Sequence, residues 1–282
     1  MKNLYLSSMV FGGYNLTNIV KECENNGWNL EFSSGLPFIS EANEIFIKSK
    51  IQKLAHNYFP APKTPFILNL GSSNDEIRNK SILHCKRGLN LVNKTKGPFF
   101  SAHAGFCIDP SPEMLGGKFI YKSNIDRDLI KNQFIKSLKE ISDYAMKINT
   151  LFLFENNVLT IENNNKTIPL LCCESNEIIE ILNEIDSNNL GLLLDTGHLK
   201  VSCNTLKKNL DEEFMILKDH IHAIHHSDND SLNDQNRMLD DSYWFWKFSK
   251  FFKENINVLE VKCNSNNDIQ SQIDLFFKNG IK

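Results

Sequence analysis

Two short runs decide the reading of this chain: LFLFEN at residues 151–156 and GLLLDTGH at residues 191–198. Each is a stretch of successive apolar residues closed by a carboxylate, Glu155 in the first and Asp195 in the second. A strand that is apolar at consecutive positions has both faces covered, which is the condition of a parallel strand wrapped by helices. Six further segments of similar character lie on either side. Strands are expected over residues 4–8, 28–33, 53–58, 99–105, 151–156, 191–196, 221–226 and 257–262. Helical patterns are expected between them, over residues 74–92, 124–147, 174–186, 205–218 and 243–254. In the second of these, Leu129, Phe134, Leu138 and Ile141 recur at three-to-four spacing, the signature of an amphipathic helix.

Strand–helix alternation predicts βαβ units and a parallel sheet. Eight such units close into a barrel, and a (β/α)₈ barrel uses about 250 residues. The 282 residues here are therefore taken up by one domain, a single (β/α)₈ TIM barrel over residues 1–282.

Composition agrees with a globular α/β chain: 41% hydrophobic and 23% charged residues, and a net charge of 31 − 34 = −3. An isoelectric point near 6.3 argues against a broad basic nucleic-acid face. The seven cysteines are odd in number, form no CxxC, and include the neighbours Cys172 and Cys173. That pattern suits reduced thiols and a cytoplasmic location rather than a disulfide framework. No leader-like segment and no membrane span of roughly 18 apolar residues is expected.

The chemistry falls at the strand ends. LAHNYF places His56, SAHAGF places His103, LFLFEN places Glu155, GLLLDTGH places Asp195 and His198, IHAIHHSD places His225, and NVLEVK places Glu260. In a barrel these carboxyl ends share one mouth, where barrel enzymes keep their sites. Imidazoles and carboxylates together are ligands for zinc or manganese. Bare carboxylates crowded together would repel, and a divalent cation offsets that repulsion. Strand alternation turns His222 and His226 away from the His225 side, into packing. His84 and His220 are expected to be structural or exposed.

Taken as a set, HNYF at 56–59, LNLGSS at 68–73, HAG at 103–105, EN at 155–156, DTGH at 195–198, HHSD at 225–228 and LEVK at 259–262 resemble the xylose-isomerase-like TIM-barrel superfamily. That superfamily contains endonuclease IV and many sugar isomerases and epimerases. The resemblance implies metal ligation by Glu155, Asp195, His225 and Glu260. It implies a divalent-metal-dependent sugar or sugar-phosphate isomerase or epimerase, in which the metal polarises the substrate carbonyl and stabilises an enediolate. Glu155 and Glu260 would be the acid–base pair, and His198 would hydrogen-bond a substrate oxygen. The ion is expected to be Mn²⁺ or Zn²⁺, with Co²⁺ or Mg²⁺ also accommodated by such ligands.

The endonuclease IV branch implies an alternative, a di- or trinuclear zinc phosphodiester hydrolase with His56 and His103 on a second metal. Against its third site stands Asp234-Gln235-Asn236, with Asn where the branch has His. A second alternative is a metal-binding barrel without catalysis. The expected partners are a small-molecule sugar or sugar phosphate and a second copy of the chain in a homo-oligomer, with neither nucleic acid nor membrane.

Loop residues complete the expectation. Phe106 is a candidate apolar wall against a sugar face, and Arg237 a candidate substrate contact. Lys118 and Lys122, after Gly116–Gly117, are candidates for a phosphate, in a loop over 106–123 long enough to act as a lid. The aromatic run after the seventh strand is expected to bury Trp244, Phe248, Phe251 and Phe252 on one helical face.

Overall fold

The computed structural model describes residues 3–121 and 125–280. Eight strands, β1 (Leu4–Ser7), β2 (Asn29–Phe32), β3 (Lys53–His56), β4 (Phe99–His103), β5 (Leu151–Glu155), β6 (Leu190–Asp195), β7 (Ile221–His226) and β8 (Ile256–Leu259), follow one another around a closed barrel. Every pair is parallel, including β1 with β8, which closes the ring. Helices α1 (Leu16–Asn26), α2 (Ala42–Lys48), α3 (Asp75–Lys94), α4 (Arg127–Lys147), α5 (Ser175–Ile185), α6 (Thr196–Leu206), α7 (Leu210–Leu217) and α8 (Asn266–Gly280) cover it. The expected single (β/α)₈ barrel is the fold. Lys122 and the first residue of the helix expected from 124 lie outside the described residues.

The barrel is filled by alternate residues of its strands. Tyr5, Leu54, Phe99, Leu153, Leu193, Ala223 and Val258 form one buried apolar cluster. The residues between them face outward and join the larger core under the helices, where Phe100, Phe152, Phe154 and Leu192 are fully buried. The helix layer sits close to the sheet: a Cβ on Gly88 of α3 would lie 2.3 Å from the Phe100 ring of β4. Glycine is what lets that helix reach its strand.

Three expectations are corrected. The helix expected over 205–218 is two helices, because Lys207 takes a left-handed conformation (φ 56°) and Asn209 then caps α7 through its side chain. The helix expected over 243–254 is a 3-10 segment, Trp244–Lys253, interrupted at Phe248. With three residues per turn and an interruption, its inward positions shift: Phe245 and Phe252 are fully buried, while Trp244, Phe248 and Phe251 are half-buried. His222 is exposed; its ring lies over Gly191, where a Cβ would come within 2.2 Å of it.

Candidate metal and substrate site at the barrel mouth

The interior period of two that fills the lower barrel continues to the strand ends, and there its chemistry changes. Two residues beyond Leu54, Leu153, Leu193, Ala223 and Val258 stand His56, Glu155, Asp195, His225 and Glu260. Successive interior positions on a strand are roughly 6.6 Å apart. The sequence-expected residues therefore form a second ring directly above the apolar one. Glu155, Asp195 and His225 have no solvent exposure, and Glu260 has 8%.

One ligand atom from each of Glu155, Asp195, His225 and Glu260 can be chosen so that all four lie within 4.8 Å of one another. His56, His103 and Glu155 form a second such group. Glu155 stands at the centre: His56 Nε2 is 3.3 Å and His103 Nε2 3.9 Å from its Oε2, and His198 Nδ1 is 3.3 Å and His225 Nδ1 3.8 Å from its Oε1. His225 Nδ1 is 2.7 Å from Glu260 Oε2.

Local structure aims these groups. Asp195 ends β6 and caps α6: its Oδ1 accepts from the backbone N–H of His198 at 2.7 Å, leaving Oδ2 without a hydrogen bond among the described residues. Thr196 Oγ1 donates to the carbonyl of His225 at 3.0 Å and ties the end of β6 to β7. A Cβ at Gly197 would fall 2.4 Å from Ser227 Oγ, so the DTGH turn needs its glycine. His198 Nδ1 donates to the Asn156 carbonyl at 2.8 Å, and its Nε2 lies 3.4 Å from Asp234 Oδ2. His56 Nδ1 is paired with Ser101 Oγ at 2.9 Å.

Both oxygens of Glu155, Oδ2 of Asp195 and Nδ1 of His225 are buried with no hydrogen-bond partner among the described residues. Buried polar atoms are nearly always partnered, and each unpartnered carboxylate oxygen is costly. These orphaned atoms belong to one converging donor set. Mixed oxygen and imidazole donors suit a divalent cation, so the residues present fit a metal ion.

Electrostatics give the same answer. Burial, outweighing nearby histidines, pushes the Glu155 carboxyl well above the usual range. Burial likewise lifts Asp195 to about 6. Burial pushes His56 well down and His103 to about 4. His225 and His198 go the other way: burial alone would lower them, but Glu31, Glu260 and Glu155 hold the proton on His225, and Asp195 and Asp234 hold it on His198. Without a cation, Glu155 and Asp195 hold their protons more tightly than ordinary carboxyls; an ion would displace them.

Other expected residues fall as follows. Phe106 borders an apolar cleft of about 480 Å³ at the mouth, with Tyr58, Phe66, Leu68 and Leu115. His103, whose side chain is 33% exposed, lines the same cleft and joins it to the cluster. Arg237 is exposed and paired with Asp230 at 3.5 Å. Asn236, in a left-handed conformation, is buried and donates to the Glu260 carbonyl at 3.3 Å. His226 is buried outside the barrel, between Tyr243 Oη at 3.1 Å and Asn257 Oδ1 at 3.0 Å.

Sequence reading passed over Glu31. It is the third residue of β2, wholly buried, and both its oxygens lie 3.1 Å from His225 Nε2. Its signal was there: WNLEFS sets one carboxylate among apolar residues, as LFLFEN does.

A parallel eight-stranded barrel carrying a ring of carboxylates and imidazoles at its carboxyl end is a recognisable class. The chain belongs to the xylose isomerase-like TIM barrel family, whose sequence model matches residues 13–274. No curated protein matches the sequence. Among solved structures it is similar to a D-tagatose 3-epimerase-like protein, with 16% identity, a TM-score of 0.75, and 98% of this chain and 96% of that one covered. It is similar to a D-psicose 3-epimerase from Clostridium cellulolyticum H10 solved with D-tagatose, at 14% identity and TM-score 0.70, covering 98% and 99%. It is also similar to the IOLI protein with a zinc atom bound, at 16% identity and TM-score 0.69, covering 99% and 100%. At these identities the likeness is one of fold.

Proposed function

We propose that this protein is a divalent-metal-dependent sugar isomerase or epimerase whose site is the upper ring of the barrel, and that residues 1–282 act as one domain. The observation that carries the reading is the convergence of Glu155, Asp195, His225 and Glu260 with four of their donor atoms buried and unpartnered. The likeness to sugar epimerases, and the zinc in one of the similar structures, point the same way.

Those four residues would hold the ion, Mn²⁺ or Zn²⁺ in the first instance; it would supply positive charge next to the oxygen that becomes negative when a neighbouring carbon loses its proton. The remaining work belongs to the chain. Glu155 and Glu260 reach the mouth from β5 and from the end of β8, three strands apart in the barrel. One takes a proton from the carbon beside the sugar carbonyl and the other returns one from the opposite face. His198, only 7% exposed in its side chain, donates to a substrate oxygen. Phe106 walls the apolar cleft. Among the described residues, none lining that cleft is a lysine or arginine; the substrate is a sugar or sugar phosphate. The seven free thiols accord with the cytoplasm as its location.

The test is hydrogen exchange. Protein loaded with Mn²⁺ and incubated in D₂O with a panel of ketohexoses should place deuterium on the carbon next to the carbonyl and form the epimer or aldose. No exchange with any ketose or aldose sinks the reading.

One observation favours a second reading. His56 and His103 give Glu155 a second set of donors, enough for a dinuclear phosphodiester hydrolase. Two ions per chain, one of them lost on His56→Ala, together with cleavage of a phosphodiester, would establish it.

A further inference from the structure

We propose that Glu31 is a positioning residue that fixes which nitrogen of His225 faces the metal site. The proposal rests on the metal reading above. Glu31 and His225 lie on β2 and β7, which are not neighbours; β7 pairs with β6 and β8. Their 3.1 Å contact therefore crosses the barrel interior and does not follow from strand pairing.

The ring of His225 stands between two carboxylates. Nε2 meets Glu31, while Nδ1 meets Glu260 Oε2 at 2.7 Å without hydrogen-bond geometry. Neutral imidazole has one ring proton to place. On Nδ1 it would close the lone pair that faces Glu155 and Asp195. On Nε2 it leaves that lone pair open, and Glu31 is what accepts it there. His56 and His198 are held differently: His56 by the Ser101 hydroxyl and His198 by the Asn156 carbonyl. His198 also has a carboxylate on its other nitrogen, Asp234 at 3.4 Å from Nε2, but that one comes from a loop at the mouth, whereas Glu31 is wholly buried within β2. A carboxylate behind a ligating imidazole fixes its tautomer and raises its basicity, and losing it weakens metal binding by about 10- to 100-fold.

The experiment uses the full chain, stripped of metal and titrated with Zn²⁺ and Mn²⁺ by calorimetry, beside Glu31→Gln. The variant should unfold cooperatively when metal-free, like the native chain, yet bind both ions about 10- to 100-fold more weakly. In Zn²⁺-loaded native protein, ¹⁵N-imidazole NMR should show His225 ligating through Nδ1 and protonated on Nε2. That measurement needs no variant and decides the matter if Glu31→Gln does not fold. Ligation through Nε2, or equal affinity in the two proteins, overturns the proposal. So does the loss of one of two bound ions, which would make Glu31 a ligand. If the native chain binds neither ion, the metal reading itself falls and takes Glu31's role with it.

Discussion

The same strands build two rings of opposite character, one above the other. The lower ring, with Leu54, Phe99, Leu153, Leu193, Ala223 and Val258, is sealed and apolar. The upper ring, two residues along each strand, carries His56, Glu155, Asp195, His225 and Glu260 and leaves four of its buried donor atoms unpartnered. The lower ring contributes stability through close packing. The upper ring spends some of that stability on holding charges where water does not reach them, which is the usual relation between a scaffold and its site. Substitutions in the two rings should therefore behave oppositely.

The largest effect is expected in the upper ring. Glu155→Gln should lower the deuterium-exchange rate with the accepted sugar by about 10²- to 10⁴-fold, the size of a lost acid–base group. The melting temperature of the metal-free protein should stay level or rise, because a poorly solvated carboxyl is removed. A fall in metal-free stability as large as that from a lower-ring truncation would break the distinction between the rings.

Next comes the lower ring itself. Phe99→Ala should cost about 3–5 kcal/mol in urea unfolding, while the number of bound ions per chain, read by elemental analysis of folded protein, stays as in the native chain. Loss of the ion at full folding would show that the rings are not separable.

Metal removal should have a smaller effect. Ion at about 100 times its dissociation constant should stabilise the native chain by about 2.7 kcal/mol over the chelated form, seen as a raised melting temperature. The same addition to Asp195→Ala should produce little shift; an equal shift would place the ion elsewhere.

A last effect, absent at neutral pH and growing only with acid, concerns His226, outside both rings. Burial depresses it to about 3, so the folded state keeps it neutral while the unfolded state takes up a proton below about pH 6.5. Its contribution is fully present above that value and is lost as pH falls toward 3, at a limiting slope of about 1.4 kcal/mol per pH unit. In His226→Gln, urea midpoints measured between pH 7 and 4 should lose this part of the slope. Parallel pH dependence in the two proteins would assign the acid sensitivity to other groups.

Much of this plan was legible in the sequence. LFLFEN and GLLLDTGH announce strands buried on both faces and ended by carboxylates, and a carboxylate in that setting needs a reason to be there. The period of two also put His225 inside the barrel and His226 outside it. What escaped had weaker local signals. Glu31 sits within β2 rather than at its end, so attention to strand ends missed it; counting interior parity from Asn29 would have found it. The turn between α6 and α7 is made by Lys207 in a conformation usually marked by glycine. The aromatic run was read with a helical period, whereas its 3-10 winding and the interruption at Phe248 put Phe245 and Phe252 inside. His222 escaped because the space it occupies is made by a missing side chain on the adjacent strand, at Gly191.

Asp195 divides its two oxygens between two tasks. Oδ1 holds the backbone N–H of His198 in the first turn of α6, and Oδ2, buried without a hydrogen bond among the described residues, is left for an ion. A cation drawing on Oδ2 therefore takes hold of the carboxylate that begins the helix. Occupancy of the mouth would be written into the amide protection of that first turn. Hydrogen–deuterium exchange at the His198 N–H then becomes a reporter of the site, one that needs neither a substrate nor a turnover to be read.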